Sequence, residues 1–381
     1  MANIKSKIIF QELLERITEG DLVGKMNLPS ENALANFYNC SRPTIRKAIA
    51  ALHERGLVFS VKGSGAYITG RLPKDENPRQ ETFVGIIFPN VGPDYFYDLL
   101  SRNLAKYASE ASYSLVLGGY ISPNSEKLKL DMLLTCERYI AQKIQGVFFA
   151  PFGFHPMADT INREIVSIFS AANIPIILLD ANILAHPAPN EYNLVSLDHF
   201  HSGYCMAEYM ISLGLKRLFF LAQPNSHHSI KLRFMGFRAA ILNHYGPYRE
   251  EPDTVVELWQ ELTRDDREGL QRFIEKARPD GIVCSNDMTA VSVMRSLETL
   301  GINVPEDISL AGFDGLSREL SYSRSITSIE QPVDAMSRTA VTIMMNLIRH
   351  PQMPAGQVTF QGKLVVGDST RKIGITPPQY E

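Results

Sequence analysis

The sequence predicts an α/β protein in two parts: a small head of three helices and a β-hairpin, and a larger two-lobed body built on parallel sheets. Three observations predict it. Residues 1–70 carry apolar residues at helical spacing, then two short strand patterns around Lys62-Gly63-Ser64-Gly65. Residues 71–82, RLPKDENPRQET, are polar and proline-containing, which is linker composition. From residue 83 onward, nearly continuous apolar runs alternate with helical stretches, the pattern of parallel strands covered on both faces.

The head begins with an amphipathic helix on which Ile8, Ile9, Leu13, Leu14 and Ile17 share a stripe, ended at Gly20-Asp21. In LPSENALANFYN (28–39), Ser30 is a helix N-cap and the helix is expected to bury Leu34 and Phe37. In SRPTIRKAIAALHERG (41–56), Ser41 is the N-cap and Pro43 sits in the first turn, where a missing N–H costs little. Ile45, Ala48, Ile49 and Leu52 form the apolar stripe of that helix, and Arg42 and Arg46 share a different face. Strands at Leu57–Val61 and Ala66–Thr69 complete a hairpin. Three helices and a hairpin describe a winged helix-turn-helix, whose recognition helix offers its N-terminal residues to the major groove. Arginine suits the O6/N7 edge of guanine. Taken alone, Arg42 and Arg46 read more readily as solvated helix charges.

The ordered string LPSE…SRPTIRKAIAALHERGLVFSVKGSGAYI resembles the DNA-binding head of the GntR family over roughly residues 5–69. The resemblance implies contacts to double-stranded DNA from Ser41, Arg42, Thr44 and Arg46, and from Lys62 and Gly63 in the wing. Two positions depart from the family pattern. Asn32 stands where a basic residue is common, and it can read adenine without supplying charge. Pro43 replaces a hydroxyl residue.

The body carries strand patterns at 84–89, 114–120, 146–151 and 174–180, then at 194–199, 217–223, 254–258, 281–287 and 309–315. Two sets suggest two lobes. The expected division gives a head at 1–70, a linker at 71–82 and a body at 83–381, with lobe 1 about 83–190 and 330–356 and lobe 2 about 191–329 and 357–381. Ligands of open parallel sheets bind at the carboxyl ends of strands. Asp180, Asn286-Asp287 and Asp314 stand at such ends, Arg233 lies in or at a helix, and Tyr95 and Phe96 follow the first strand. Acceptors, donors and an aromatic wall are what a sugar needs. Asp287 also reads as a helix cap.

The segments NLVSLDHFHSGY, RFMGFRAA, PDGIVCSND, NVPEDISLAGFDG, ITSIEQPVDAM and LVVGDST look like the effector-binding region of the LacI/GalR family, a periplasmic-binding-protein-like fold, over roughly residues 83–375. The resemblance puts effector contacts on Arg233, Asn286, Asp314 and Gln331, with Asp180 and Ser229 beside them and Tyr95 and Phe96 as stacking walls. Trp259, the only tryptophan, reads either as an aromatic that closes over the sugar or as a helix-surface or core residue. The loop at 180–193 is long, and Gly367 stands where the family often has Arg. A GntR-type head on a LacI-type body resembles the arabinose-repressor subgroup. That implies a regulator that binds a palindromic operator as a homodimer and is released by a monosaccharide such as a pentose.

Composition agrees with that class. The 381 residues carry a net charge of −3. Residues 1–70 hold nine Lys or Arg against six acids, a net +3 that leaves −6 for the remainder, a weak pointer to DNA at the head. Four scattered cysteines without a CxxC pair argue against a zinc site or a disulfide framework and fit a reducing cytosol. The N-terminal segment lacks an uninterrupted apolar core, and no stretch approaches the ~18 apolar residues of a membrane span. A cytoplasmic, soluble protein without cofactor or metal is expected. The phosphate-loop, dinucleotide, HExxH and GxSxG motifs are absent, so no catalytic residue is expected. His227-His228 are adjacent, with no third ligand near in sequence. A transport binding module and a sugar enzyme are the alternatives. Export would favour the first and turnover the second.

Overall fold

The computed structural model describes residues 2–18, 28–54, 57–61, 65–68, 82–89, 96–118, 127–188, 191–223, 225–246, 267–316 and 324–371. The chain divides into two units, Met1–Gln80 and Glu81–Glu381.

In the first unit, α1 (Ala2–Thr18), α2 (Glu31–Phe37) and α3 (Arg42–Glu54) close on one apolar core. Leu13, Leu34, Ile45 and Leu52 are buried there together. Ser30 caps α2 by accepting from the Ala33 N–H at 3.2 Å. Asn39 takes a left-handed conformation (φ 44°), which Asn tolerates better than most residues, and it turns the chain from α2 to α3. Strands β1 (Val58–Val61) and β2 (Gly65–Ile68) pair antiparallel. Residues 62–64 of the hairpin tip lie outside the described residues. Two core expectations fail. Phe37 is 67% exposed, because α2 is only two turns long and its last turn carries Phe37 away from α3. Ile8 is exposed, while Ile9 and Phe10 turn inward in its place.

The second unit holds two sheets. The first has the order β12-β7-β6-β5-β3-β4 and is parallel throughout. Its strands are β3 (Phe83–Ile87), β4 (Ser114–Leu117), β5 (Gly146–Phe149), β6 (Ile176–Leu179), β7 (Asn193–Leu197) and β12 (Gln357–Phe360). Between β3 and β7 come α4 (Phe96–Glu110), α5 (Leu128–Ala141) and α6 (Ala158–Ala171), and α11 (Val333–Arg349) packs on α4, β6 and β7. The second sheet has the order β13-β11-β10-β9-β8, from β8 (Leu218–Leu221), β9 (Gly281–Cys284), β10 (Ser309–Asp314), β11 (Thr327–Glu330) and β13 (Lys363–Val365). It carries α7 (His199–Ser212), α8 (His228–Tyr245), α9 (Arg267–Ala277) and α10 (Asp287–Thr299).

Strand membership differs from the expected division. Asn193–Leu197, assigned to lobe 2, pairs with β6 in the first sheet, and Gln357–Phe360 joins it there. Apolar pattern identifies a strand but not its neighbour, so the boundary falls after β7, not before it. Strand β13 runs antiparallel to β11, so the second sheet is mixed. The predicted strand at 254–258 lies outside the described residues. The chain passes between the sheets after β7, between β11 and α11, and between β12 and β13. These crossings set the carboxyl ends of both sheets against one cleft.

Helices α7 and α8 meet through glycines. A Cβ on Gly203 would collide with the Arg233 carbonyl, and one on Gly236 with the Phe200 carbonyl. The backbones approach this closely because neither residue has a side chain. That contact fixes where Arg233 sits.

Candidate functional site

The head presents one polar face. Ser41, Arg42, Arg46 and Asn32 are exposed. Glu31, the acid of LPSE, bridges both arginines: Arg46 Nε donates to its two carboxylate oxygens at 2.9 and 3.1 Å, and Arg42 reaches it at 3.3 Å. These exposed pairs add little stability, but they align two guanidinium groups along the start of α3. Thr44 corrects the sequence reading. It is only 8% exposed, and its hydroxyl pairs with Ser41 Oγ at 2.9 Å, so it secures the first turn rather than facing DNA. Lys62 and Gly63 lie outside the described residues.

In the body, Arg233 is the centre. It is 3% exposed and makes three hydrogen bonds: Nε to His199 Nδ1 (3.1 Å), one amino group to the Ser285 carbonyl (2.7 Å) and the other to Asp314 Oδ1 (3.0 Å). Its guanidinium also stacks 4.7 Å from the centre of the Phe313 ring. Because His199 Nδ1 accepts, the His199 proton sits on Nε2, which donates to the Asp180 carbonyl at 2.8 Å. Gln331 lies just before the crossing into α11 and donates to the same Asp314 oxygen at 2.9 Å. Asp180 ends β6 and Asp314 ends β10, and both have positive φ, 68° and 105°.

The electrostatics are tightly balanced. Burial opposes ionisation of Asp180, but His199, Arg233 and His227 overcome it and hold its carboxyl well below the ordinary range. Burial raises Asp314, and Arg233 only partly offsets this. Burial and the neighbouring Asp314 push Asp287 well up. Asp287 Oδ2 accepts from the Leu316 N–H (2.8 Å) and from Ser328 Oγ (3.0 Å), so it ties down the turn after β10. Gln331 Oε1 is a buried acceptor without a hydrogen bond, and Asp180 Oδ1 has only a share of the His199 Nε2 donor, at 3.3 Å, which already serves the Asp180 carbonyl. Buried polar atoms left unmatched are costly, so these two favour a ligand that brings donors.

The remaining expected residues divide. Asn286 caps α10, accepting from the Thr289 N–H at 2.8 Å. Ser229 is buried one helical turn before Arg233. Phe96 is a correction: it packs into the core of the first lobe. The aromatic facing the charges is Tyr97, whose hydroxyl is pushed up by burial and by Asp180 and Asp314, against Arg233. Helix α4 starts at Phe96, and one residue of helical rotation separates the core side from the cleft side. Tyr95 and Trp259 lie outside the described residues. Sequence reasoning missed Glu31, Tyr97 and His199. The signal for His199 was present in Asp198-His199, directly after β7 at a strand's carboxyl end.

Residues 5–68 match the family described as bacterial regulatory proteins, gntR family, and residues 207–370 match the periplasmic binding protein-like domain. The chain thus joins a head similar to the GntR family to a body that matches the periplasmic-binding-protein-like domain over its second part. That is the architecture of a DNA-binding transcriptional regulator. An arabinose metabolism transcriptional repressor of Geobacillus stearothermophilus is 26% identical over 367 residues, covering 95% of this chain and 96% of the relative. A sucrose operon repressor of Streptococcus mutans is 24% identical, covering 86% and 91%. Among solved structures, a LacI family transcriptional regulator from Enterococcus faecium with bound ribose superposes with a TM-score of 0.62 at 18% identity, covering 78% of this chain and all of the other. The regulator-like body is thus shared in fold with that protein. Among the described residues no helix is long and apolar enough to cross a membrane.

Proposed function

We propose that the chain is a cytoplasmic repressor of carbohydrate-utilisation genes, released from its operator by a monosaccharide bound between the two sheets of the body. The observation that carries this reading is the buried Arg233–Asp314–Gln331 group beside Asp180, with Gln331 Oε1 unpartnered and Asp180 Oδ1 only partly served by His199 at 3.3 Å, both able to take hydroxyl donors. Tyr97 supplies the aromatic wall. The long match to repressors named for arabinose and sucrose metabolism supports sugar control, and the fold partner that holds ribose supports a pentose-sized ligand. Ser41, Arg42, Arg46 and Asn32 contact DNA, with Lys62 and Gly63 in the wing. The protein acts as a homodimer on a palindromic site, because operator symmetry mirrors protein symmetry. Ligand that binds one arrangement of the lobes more tightly shifts DNA affinity by linkage.

The test is a thermal-shift screen of the full chain against neutral pentoses and hexoses, followed by operator binding with any stabilising sugar. A ligand at ~100 times its Kd adds about 2.7 kcal/mol to the folded state. The expected result is one selective sugar that raises the melting temperature, loosens operator DNA and fails with Asp180→Asn. A hit that is indifferent to Asp180→Asn and Gln331→Leu would refute the site.

A further inference from the structure

Beside the Arg233 cluster lies a second pocket of different character. Its walls are the segment after β5, including Gly153 and His155, the residues after β6, Ala181 and Asn182, and the start of α8, from Asn225 to Lys231. It shares a border with the cleft, since Asp180 precedes Ala181 and the His227 ring feels the charges of Asp180 and Arg233. We infer that this pocket takes the phosphate of a phosphorylated monosaccharide whose hydroxyls occupy the Arg233 cluster. This deepens the sugar-sensor reading and rests on it.

Two helices begin at the pocket. Helix α8 has 18 residues, and its N-cap, His227, makes no side-chain cap bond. The first bond within that end runs from the Lys231 N–H to the His227 carbonyl, so the N–H groups before it have no carbonyl of their own helix to reach. At α6 the Met157 N–H is already taken by His155 Nδ1 at 3.1 Å and Asp159 stands in the first turn, so the anion-favouring end is that of α8. Uncapped helix N-termini favour anions. Lys231, one turn into α8, adds a full positive charge at the rim. A separate observation points to a ligand. His227 is 8% exposed, and its Nδ1 has no hydrogen-bond partner; the same holds for His228 Nδ1. His227 is wedged there, for Gly153 packs against its ring and backbone and Phe154 meets the ring edge-on at 4.9 Å.

The two ends of the combined site differ in sign. In the cleft the one guanidinium is bonded to Asp314 and faces the ionised Asp180, which disfavours an anion there. The pocket's one lining carboxylate is Asp159, 3.2 Å from His228 Nε2; burial pushes His228 down, so this is not a full ion pair, but the Asp159 side chain is 55% exposed and solvent screens its charge. The free space is about 60 Å³. A single water needs about 10–15 Å³, so four or five water-sized groups fit, roughly one phosphoryl group. Burial keeps His227 neutral near neutral pH, pushed down to about 4. Neutral His227 carries a single ring N–H, so its unpartnered Nδ1 offers a ligand either a donor or an acceptor. A phosphate brings three acceptor oxygens at once, enough for the α8 N–H groups, Lys231 and a ring N–H, and its monoanion adds a P–OH donor, whereas a carboxylate brings two acceptors alone.

The test is isothermal titration of the full chain with inorganic phosphate, ribose 5-phosphate, arabinose 5-phosphate, glucose 6-phosphate, their parent sugars and glucuronate, at constant ionic strength. Lys231→Met is the main variant, because Lys231 is exposed and its loss spares the core. His227→Gln is the second. The expected result is that inorganic phosphate binds and that one sugar phosphate binds more tightly than its parent. Lys231→Met then weakens both about tenfold or more, as loss of a charged hydrogen bond does, without changing parent-sugar affinity. Parent sugar binding as tightly as its phosphate, with no response to Lys231→Met, would overturn the phosphate pocket and leave the sugar sensor standing. Tighter binding of glucuronate than of any phosphate would also overturn it. Phosphate binding with no sugar or sugar phosphate above it would support the pocket as an anion site and sink the sensor reading on which the ligand identity rests.

Discussion

Replacing Arg233 with Met probes the cleft most sharply. The guanidinium is 3% exposed and hydrogen-bonded to His199, the Ser285 carbonyl and Asp314. Methionine keeps much of the volume, so the cavity contribution is small. The charge contribution is not small, because Asp314 and Asp180 repel each other across the site and lose the cation between them. Removing one partner of a buried pair costs about 3–5 kcal/mol. In a body of this size that lowers the melting temperature by about 5–8 °C. Asp314→Asn removes the negative charge instead, and the double variant is expected to recover about 1–3 kcal/mol relative to additivity. Urea denaturation of the full chain and the three variants closes the cycle. A change under about 1 kcal/mol for Arg233→Met, or strict additivity in the double variant, would show that the cluster is not the buried charge network described, since buried partners couple by more than that.

Gly203→Ala forces a methyl into the Arg233 carbonyl at the α7–α8 crossing and is expected to cost about 3 kcal/mol or more, with sugar response lost as Arg233 moves; a melt within experimental scatter of wild type would disprove the close crossing. His227 is neutral when folded, at about 4 against an ordinary 6.5, so the unfolded chain binds a proton that the folded body refuses as pH falls through that window. Stability is therefore present above pH 6.5 and declines by about 3 kcal/mol toward pH 4, and His227→Asn should flatten that part of a melting-temperature series. In the head, Arg46→Ala should weaken operator binding by about 1–3 kcal/mol and relax base discrimination, measured by fluorescence anisotropy on matched and altered sites. Thr44→Val should leave that discrimination intact and lower head stability by about 1 kcal/mol, since its hydroxyl serves Ser41; equal loss of discrimination in both variants would restore Thr44 to the DNA face.

Much of the architecture was legible because it is local. The caps at Ser30, the stripe of Ile45, Ala48 and Leu52, and the apolar strands of the body are set by residues within a turn or two of each other. Arg233, Asp314, Asp180 and Gln331 were legible too, since strand ends and the motifs around them place polar groups at a common edge. The failures share a cause. Thr44 and Arg46 lie two residues apart on one helix, yet one is inside and the other outside, and Phe96 and Tyr97 part in the same way. A helix face is decided by what packs on it, and that partner comes from elsewhere in the chain.

The sequence by itself determined the two-part organisation, the helix-turn-helix with its hairpin, and the α/β character of the body, because propensity, capping and hydrophobic period act over short range. Only the tertiary structure decided that β7 and β12 belong to the first sheet, that Glu31 gathers Arg42 and Arg46, and that His199 joins Arg233 to Asp180. Each of these is a contact between segments far apart in sequence. Its free energy depends on burial and on distances of a few ångströms, which no local pattern records.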